Sequence, residues 1–168
     1  MISVIISLPI MLILSVIQSV AVGRINIMSG SADIILLAIV SLGVTEENRN
    51  IFIWALVGGI FISFISAMPA AAVITAYLVV AGITWIVQKG IWQSPILAIL
   101  LSSFIGTVAK FSIDIIALQI IGVSIDFPAA IKMTLAPNLI LNLFILFPIH
   151  SLMGDLAKWI SRKEEYEG

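Results

Sequence analysis

Long uninterrupted apolar runs, separated by short polar stretches, dominate the chain from its first residues. Ile2 to Val22 carry no charge. Their length matches a hydrocarbon core of about 30 Å crossed at about 1.5 Å per residue. The pattern predicts a first membrane helix. A cleaved leader would use the small residues Ser19, Ala21 and Gly23, but no basic residue precedes the run, so a retained span is expected. After a polar stretch, Asp33 opens a second run that ends by Val44. At about 13 residues it suits a re-entrant or partial helix as well as a full crossing. Ser31 and Asp33 at its start fit helix N-terminal chemistry, because an acceptor and a negative charge complement free N–H groups.

Thr45 to Asn50 forms a polar turn, and two 18-residue apolar segments follow, Ile51–Met68 and Ala70–Val87, broken at Pro69. This predicts a tight helical hairpin. Gly59, Ser63 and Ala67 recur every fourth residue on one segment, and Ala72 and Ala76 do so on the next, which lets backbones approach closely in lipid. Gln88 to Ser94 is a loop with Lys89 and Trp92, the latter an expected interfacial anchor. Pro95 opens a long helix to about Ile121. A loop from Gly122 to Leu135 holds Asp126, Pro128 and Lys132, and a last span is expected from about Ala136 to Met153.

The fold class that follows is all-α: a polytopic transmembrane bundle of about six short spans over residues 1–153, five if the second segment is re-entrant, with a short tail at 154–168. Composition agrees: 61% of the 168 residues are hydrophobic and 10% charged, with a mean hydropathy of +1.24, far from the balance of soluble domains. Charge sets the orientation. With six spans and a cytoplasmic N-terminus, Arg49, Lys89, Lys158, Arg162 and Lys163 lie inside, against Arg24 and Lys132 outside. With five, Arg24 joins the inner set. Both solutions place the C-terminus of this multi-pass chain in the cytoplasm.

Candidate chemistry is sparse. A formal charge of -1 without a basic run gives nucleic acid nothing to bind. One histidine and no cysteine leave a transition metal short of ligands, and no phosphate-binding loop, nucleophile elbow or zinc-protease motif is present. No enzyme, metal or cofactor is expected. His150, at the end of the last span, reads as a boundary side chain. The informative charges are Lys110 and Asp114, one turn apart near the middle of the long helix and able to neutralise each other. An ion relay would need further acidic or histidine partners at that depth, and none is expected. Asn138 and Asn142 are also one turn apart, just after Pro137, and Gln18 sits late in the first span. Such amides either hold the bundle together or meet a partner's transmembrane helix.

Several of these segments, taken in order, resemble a known family, the bacterial rod shape-determining MreD proteins. Ile17-Gln18-Ser19 closes the first span as the family's L-Q-S/T does. Gly30-Ser31-Ala32-Asp33-Ile34-Ile35-Leu36-Leu37 is similar to its G-x-P-D-L-L-L-L, and Ser66-Ala67-Met68-Pro69 to its S-G-x-P-L-G. Pro137-Asn138-Leu139-Ile140-Leu141-Asn142, then Pro148 and a basic, Trp-bearing end, resembles its closing span. Ala32 stands where the family has Pro, Ser63 where an acidic residue is frequent, and alanines replace the hairpin glycines. The resemblance implies a non-catalytic subunit of the cell-wall elongation machinery. Such a subunit binds the single-span protein MreC, with Gln18, Asn138 and Asn142 as candidate contacts, and couples an MreB-like filament to a RodA-like polymerase and its transpeptidase. The competing expectation is the substrate-capture subunit of a vitamin transporter, for which Gln18, Asn26 and Asp126 would line an outer pocket.

Overall fold

The computed structural model describes the backbone of residues 2–24, 30–45, 50–90 and 94–166, with side chains over 5–20, 30–45, 50–90 and 94–159. The described residues are helical nearly throughout. Helix α1 covers Ile2–Arg24, α2 Ile34–Val44, α3 Ile51–Ile65, α4 Ala70–Gly90 and α5 Pro95–Ile120. A short α6, Phe127–Ala130, runs through a π turn, Ile131–Leu135, into α7, Ala136–Tyr166. Three helical stretches are long and apolar enough to cross a membrane: Ala70–Gly90, Pro95–Ile120 and Phe127–Trp159. Three shorter apolar ones accompany them: Ile5–Val20, Ile34–Val44 and Ile51–Ile65.

The organising element is α2. Its sequence is apolar on every side, and a helix of that kind must be surrounded. All eleven of its residues are buried, Ile35 to Val40 completely. It runs down the middle of the bundle, touching α1, α3, α4, α5 and α7. Its start lies beside Tyr77 and its end beside Gln88, so it is parallel to α4. The close approaches of Gly43 to Ile51 and of Gly58 to Ile35 make it antiparallel to α3. Met11 meets Gly58 while Gln18 shares a cavity wall with Ile62 and Ile65, which turns α1 the same way as α3. Gly106 meets Val80 while Ile116 lies with Ala72, which sets α5 against α4. Asn142 reaches Asp33 while His150 lies with Val44, which sets α7 along α2. Chain direction therefore alternates, with α1, α3 and α5 one way and α2, α4 and α7 the other.

Close packing follows the small residues. A Cβ on Gly59 would sit 3.1 Å from the Cα of Ile74, so α3 and α4 meet backbone to backbone, as the small-residue spacing predicts. Of the same row, Ser63 is partly exposed, and Ala67 is exposed beyond the end of α3. Outside, Ile5, Leu8, Leu12, Val16 and Val20 form an exposed apolar stripe along α1, a surface suited to lipid rather than water. At the end of α4 the Lys89 ammonium lies 3.5 Å from the centre of the Trp85 ring, an anchoring pair of the kind found at a membrane boundary. Trp92, expected to anchor the next loop, and Arg49 lie outside the described residues.

Two boundaries differ from those the sequence predicts. The Gly122–Leu135 loop is a loop only to Asp126; Asp126 is the N-cap and Pro128 occupies the first turn, where its missing N–H costs nothing. The π turn then ends just before Pro137, whose lack of an N–H removes a regular helical bond and favours a widened turn there. At the other end there is no break at 153, since α7 continues through the charged tail to Tyr166.

Candidate functional site

At 1.5 Å per residue, the eleven residues of α2 cover about half of a 30 Å hydrocarbon core. Its N-terminus therefore opens inside the bundle, where its first N–H groups have no helical partner and no ready access to water. Side chains from α1 and α7, with that of the N-cap itself, supply the missing acceptors. Gln18 Oε1 on α1 accepts from the Ile35 amide at 3.0 Å. Asp33, the N-cap, accepts from the Leu36 amide at 3.0 Å. From α7, Asn142 Oδ1 accepts from the Asp33 amide at 2.8 Å, and Asn138 Oδ1 from the Ser31 amide at 2.7 Å. Asn142 also donates to Thr107 Oγ1 on α5 at 2.9 Å, which ties three helices at one side chain. The far end of α2 is closed likewise, the Val44 carbonyl accepting from Gln88 Nε2 at 3.3 Å.

Gln18, Asn138 and Asn142 were candidates for meeting a partner's helix, but their oxygens are spent on the chain's own backbone, and Asn142 is only 1% exposed. At that depth Asn142 has no surface to offer another protein, whereas Gln18 and Asn138 are partly exposed.

Gly30 makes the turn before α2 possible. A Cβ there would lie 2.5 Å from Pro137 Cβ and 2.9 Å from Asn138 Oδ1, in the first turn of α7. Gly30→Ala should therefore lower the amount of folded protein in the membrane. Gly82→Ala is the control: nothing lies within 4 Å of a Cβ there. Being a helix-interior replacement, it should be neutral or stabilising by up to about 1 kcal/mol. Thermal unfolding of the two purified variants compares them directly.

Lys110 and Asp114 make the expected i,i+4 pair, Nζ to Oδ2 at 3.1 Å. They are not alone. Asp33 Oδ2 lies 3.4 Å from Lys110 Nζ, and the Tyr77 hydroxyl reaches both Asp33 oxygens, at 3.0 and 3.1 Å. The expectation that no further acidic partner exists at that depth is thus overturned: Asp33 serves as helix cap and as counter-ion at once. Tyr77, completely buried, went unnoticed in the sequence, although a phenol in the middle of a span needs a hydrogen-bond partner.

Beside this cluster lies a cavity of about 310 Å³ between α5 and the Ala130–Asn142 stretch, with Asp33, Thr107, Lys110, Asp114, Asn138 and Asn142 in its wall. Asp126, offered for an outer pocket, is exposed and outside that wall, and Asn26 lies outside the described residues. His150 is in another cavity with Thr45 and Lys158, and its Nδ1 is buried without a hydrogen-bond partner. Among the described residues, no three His, Cys, Asp or Glu side chains are grouped to hold a metal ion.

The fold and site define an all-helical, apolar bundle built around a buried half-length helix with a polar knot at its N-terminus. No family model, curated protein or solved structure matches the chain.

Proposed function

We infer that this chain is a non-catalytic subunit of the bacterial cell-wall elongation machinery, of the MreD kind, that passes six times through the inner membrane and holds the transmembrane helix of an MreC-like partner. One observation carries the reading. The segments that resemble the MreD family are far apart in the sequence, yet Gln18, Gly30, Asp33, Asn138 and Asn142 meet in a single knot around the start of α2. Chance matches among apolar runs would have no reason to converge. Because the knot faces inward, the partner's helix belongs on the outward apolar faces, and the amides act by fixing the shape of those faces. Coupling to an MreB-like filament and to a RodA-like polymerase with its transpeptidase belongs to the same reading.

The alternating helix directions support six passages. Lys and Arg asymmetry then puts the C-terminus in the cytoplasm. Single-cysteine labelling of intact cells tests this, because the chain has no native cysteine. Ser29→Cys should react with an impermeant maleimide and Ser161→Cys should not; reaction at Ser161, or protection at Ser29, would overturn the six-span topology.

Depletion in the native host tests the role. Rod-shaped cells should become round while the protein partners stay in the membrane. The cavity beside Asp114 favours a second reading, capture of a vitamin for a transporter; on that reading cell shape stays normal and uptake fails.

A further inference from the structure

We propose that the cavity beside Asp114 is a binding site for a primary ammonium group carried next to an anionic oxygen, chemistry shared by an ethanolamine phospholipid headgroup and a free amino acid. Within the cluster, two carboxylates face one ammonium. Asp33 is fully committed, to the Leu36 amide, to the Tyr77 hydroxyl and to Lys110. Asp114 meets Lys110 through Oδ2 alone, and its side chain, 25% exposed, stands in the cavity wall with Oδ1 as a further acceptor. A carboxylate in a poorly solvated interior calls for a second positive group, and a ligand ammonium at Asp114 supplies it.

The same wall carries donors for the anionic part. Lys110, 24% exposed, lines this cavity and also a second one of about 400 Å³ on its other side, where Gln18, Ser66 and Tyr77 are found. Asn138 has its Oδ1 fixed on the Ser31 amide, so its NH2 group is the donor it can present to the cavity. A charged donor and a neutral one near a carboxylate form a site of mixed sign, which neither a plain anion nor a plain cation satisfies. Leu36, Phe111, Ile115 and Leu118 give the wall an apolar side next to the charges. The inference does not rest on the rod-shape reading, and its failure would leave that reading standing.

Native mass spectrometry of the purified full chain in detergent tests it with three lipids, phosphatidylethanolamine, phosphatidylcholine and phosphatidylglycerol, and with free phosphoethanolamine and alanine. Phosphatidylethanolamine should be retained as a single bound molecule. Phosphatidylcholine, whose quaternary nitrogen has no N–H to donate, and phosphatidylglycerol should be retained more weakly. If the lipid is held and the soluble amines neither bind nor displace it, the source is the bilayer; if they bind or displace it, the source is a free zwitterion. Asp114→Asn should weaken retention by roughly tenfold to a hundredfold, the loss of one charge-assisted contact. Thr134→Phe, in the cavity wall outside the ion cluster, should block the site even if the Asp114 variant fails to fold. Equal retention of all three lipids without amine binding, or a bound ligand unaffected by Thr134→Phe, overturns the proposal.

Discussion

Replacing Asp33 by Ala should cost more than any other single change in this chain. The side chain caps α2, accepts two contacts from the Tyr77 hydroxyl and faces Lys110 at 3.4 Å. Its loss leaves a tyrosine hydroxyl and a helix-end N–H unpaired in a region water reaches poorly, and Lys110 with one counter-ion where it had two. Each polar group so left unpaired costs about 1–3 kcal/mol, together roughly one to four powers of ten in the folded fraction. Asp33→Ala should therefore fail to accumulate in the membrane, read by immunoblot of membrane fractions against the wild type. Asp33→Asn keeps the capping oxygen and should be milder, because an amide caps as well as a carboxylate. If Asp33→Ala accumulated normally, the half-length helix would not depend on its cap.

The second large effect falls on the two asparagines of α7. Asn142→Leu removes the acceptor for the Asp33 amide and the donor to Thr107, and Asn138→Leu the acceptor for the Ser31 amide. A buried N–H left unpaired costs about 1–3 kcal/mol, softened where the membrane-embedded unfolded state finds other partners. Asn142→Leu should lower the unfolding midpoint further than Asn138→Leu, and the double variant should lose most of its folded protein. A partner-facing role predicts the opposite, normal stability with lost association. Fluorescence-detected thermal unfolding of the three variants separates the two.

Lys110 and Asp114 extend the argument. With Asp33 beside them, Lys110→Met strands two carboxylates, whereas Asp114→Leu leaves Lys110 paired with Asp33. The lysine change should be the more damaging, and the double variant less damaging than the sum. Strict additivity in membrane abundance would mean that the pair is not coupled.

Much of the bundle was legible because apolar periodicity and punctuation reflect local physics. Pro69, Pro95 and the run lengths marked the hairpin and the long helix to within a few residues. The helical start at Phe127 was missed because Pro128 was placed in a loop, whereas it sits harmlessly in a first turn that a π turn joins to α7 at the expected Ala136. The site was half legible. Asp33 announced itself as a cap, and Lys110 and Asp114 as a pair, since those relations span one turn. What joined them does not: Asn142 meets the Asp33 amide across 109 positions, and Tyr77 meets Asp33 across 44. Only the brevity of the second apolar run hinted at such contacts, because a helix too short to cross must end where its N–H groups need partners. The amides at 18, 138 and 142 answer that need.

The central claim is association through the membrane, and what accompanies the chain out of native membranes tests it most directly. Tagged at its C-terminus, solubilised in a mild detergent and purified by affinity, the chain should bring with it a single-span protein of the MreC type in near-stoichiometric amount, released only by harsher detergent. Recovery of the chain alone, or with a vitamin and an ATP-driven transport module in place of that protein, would contradict it.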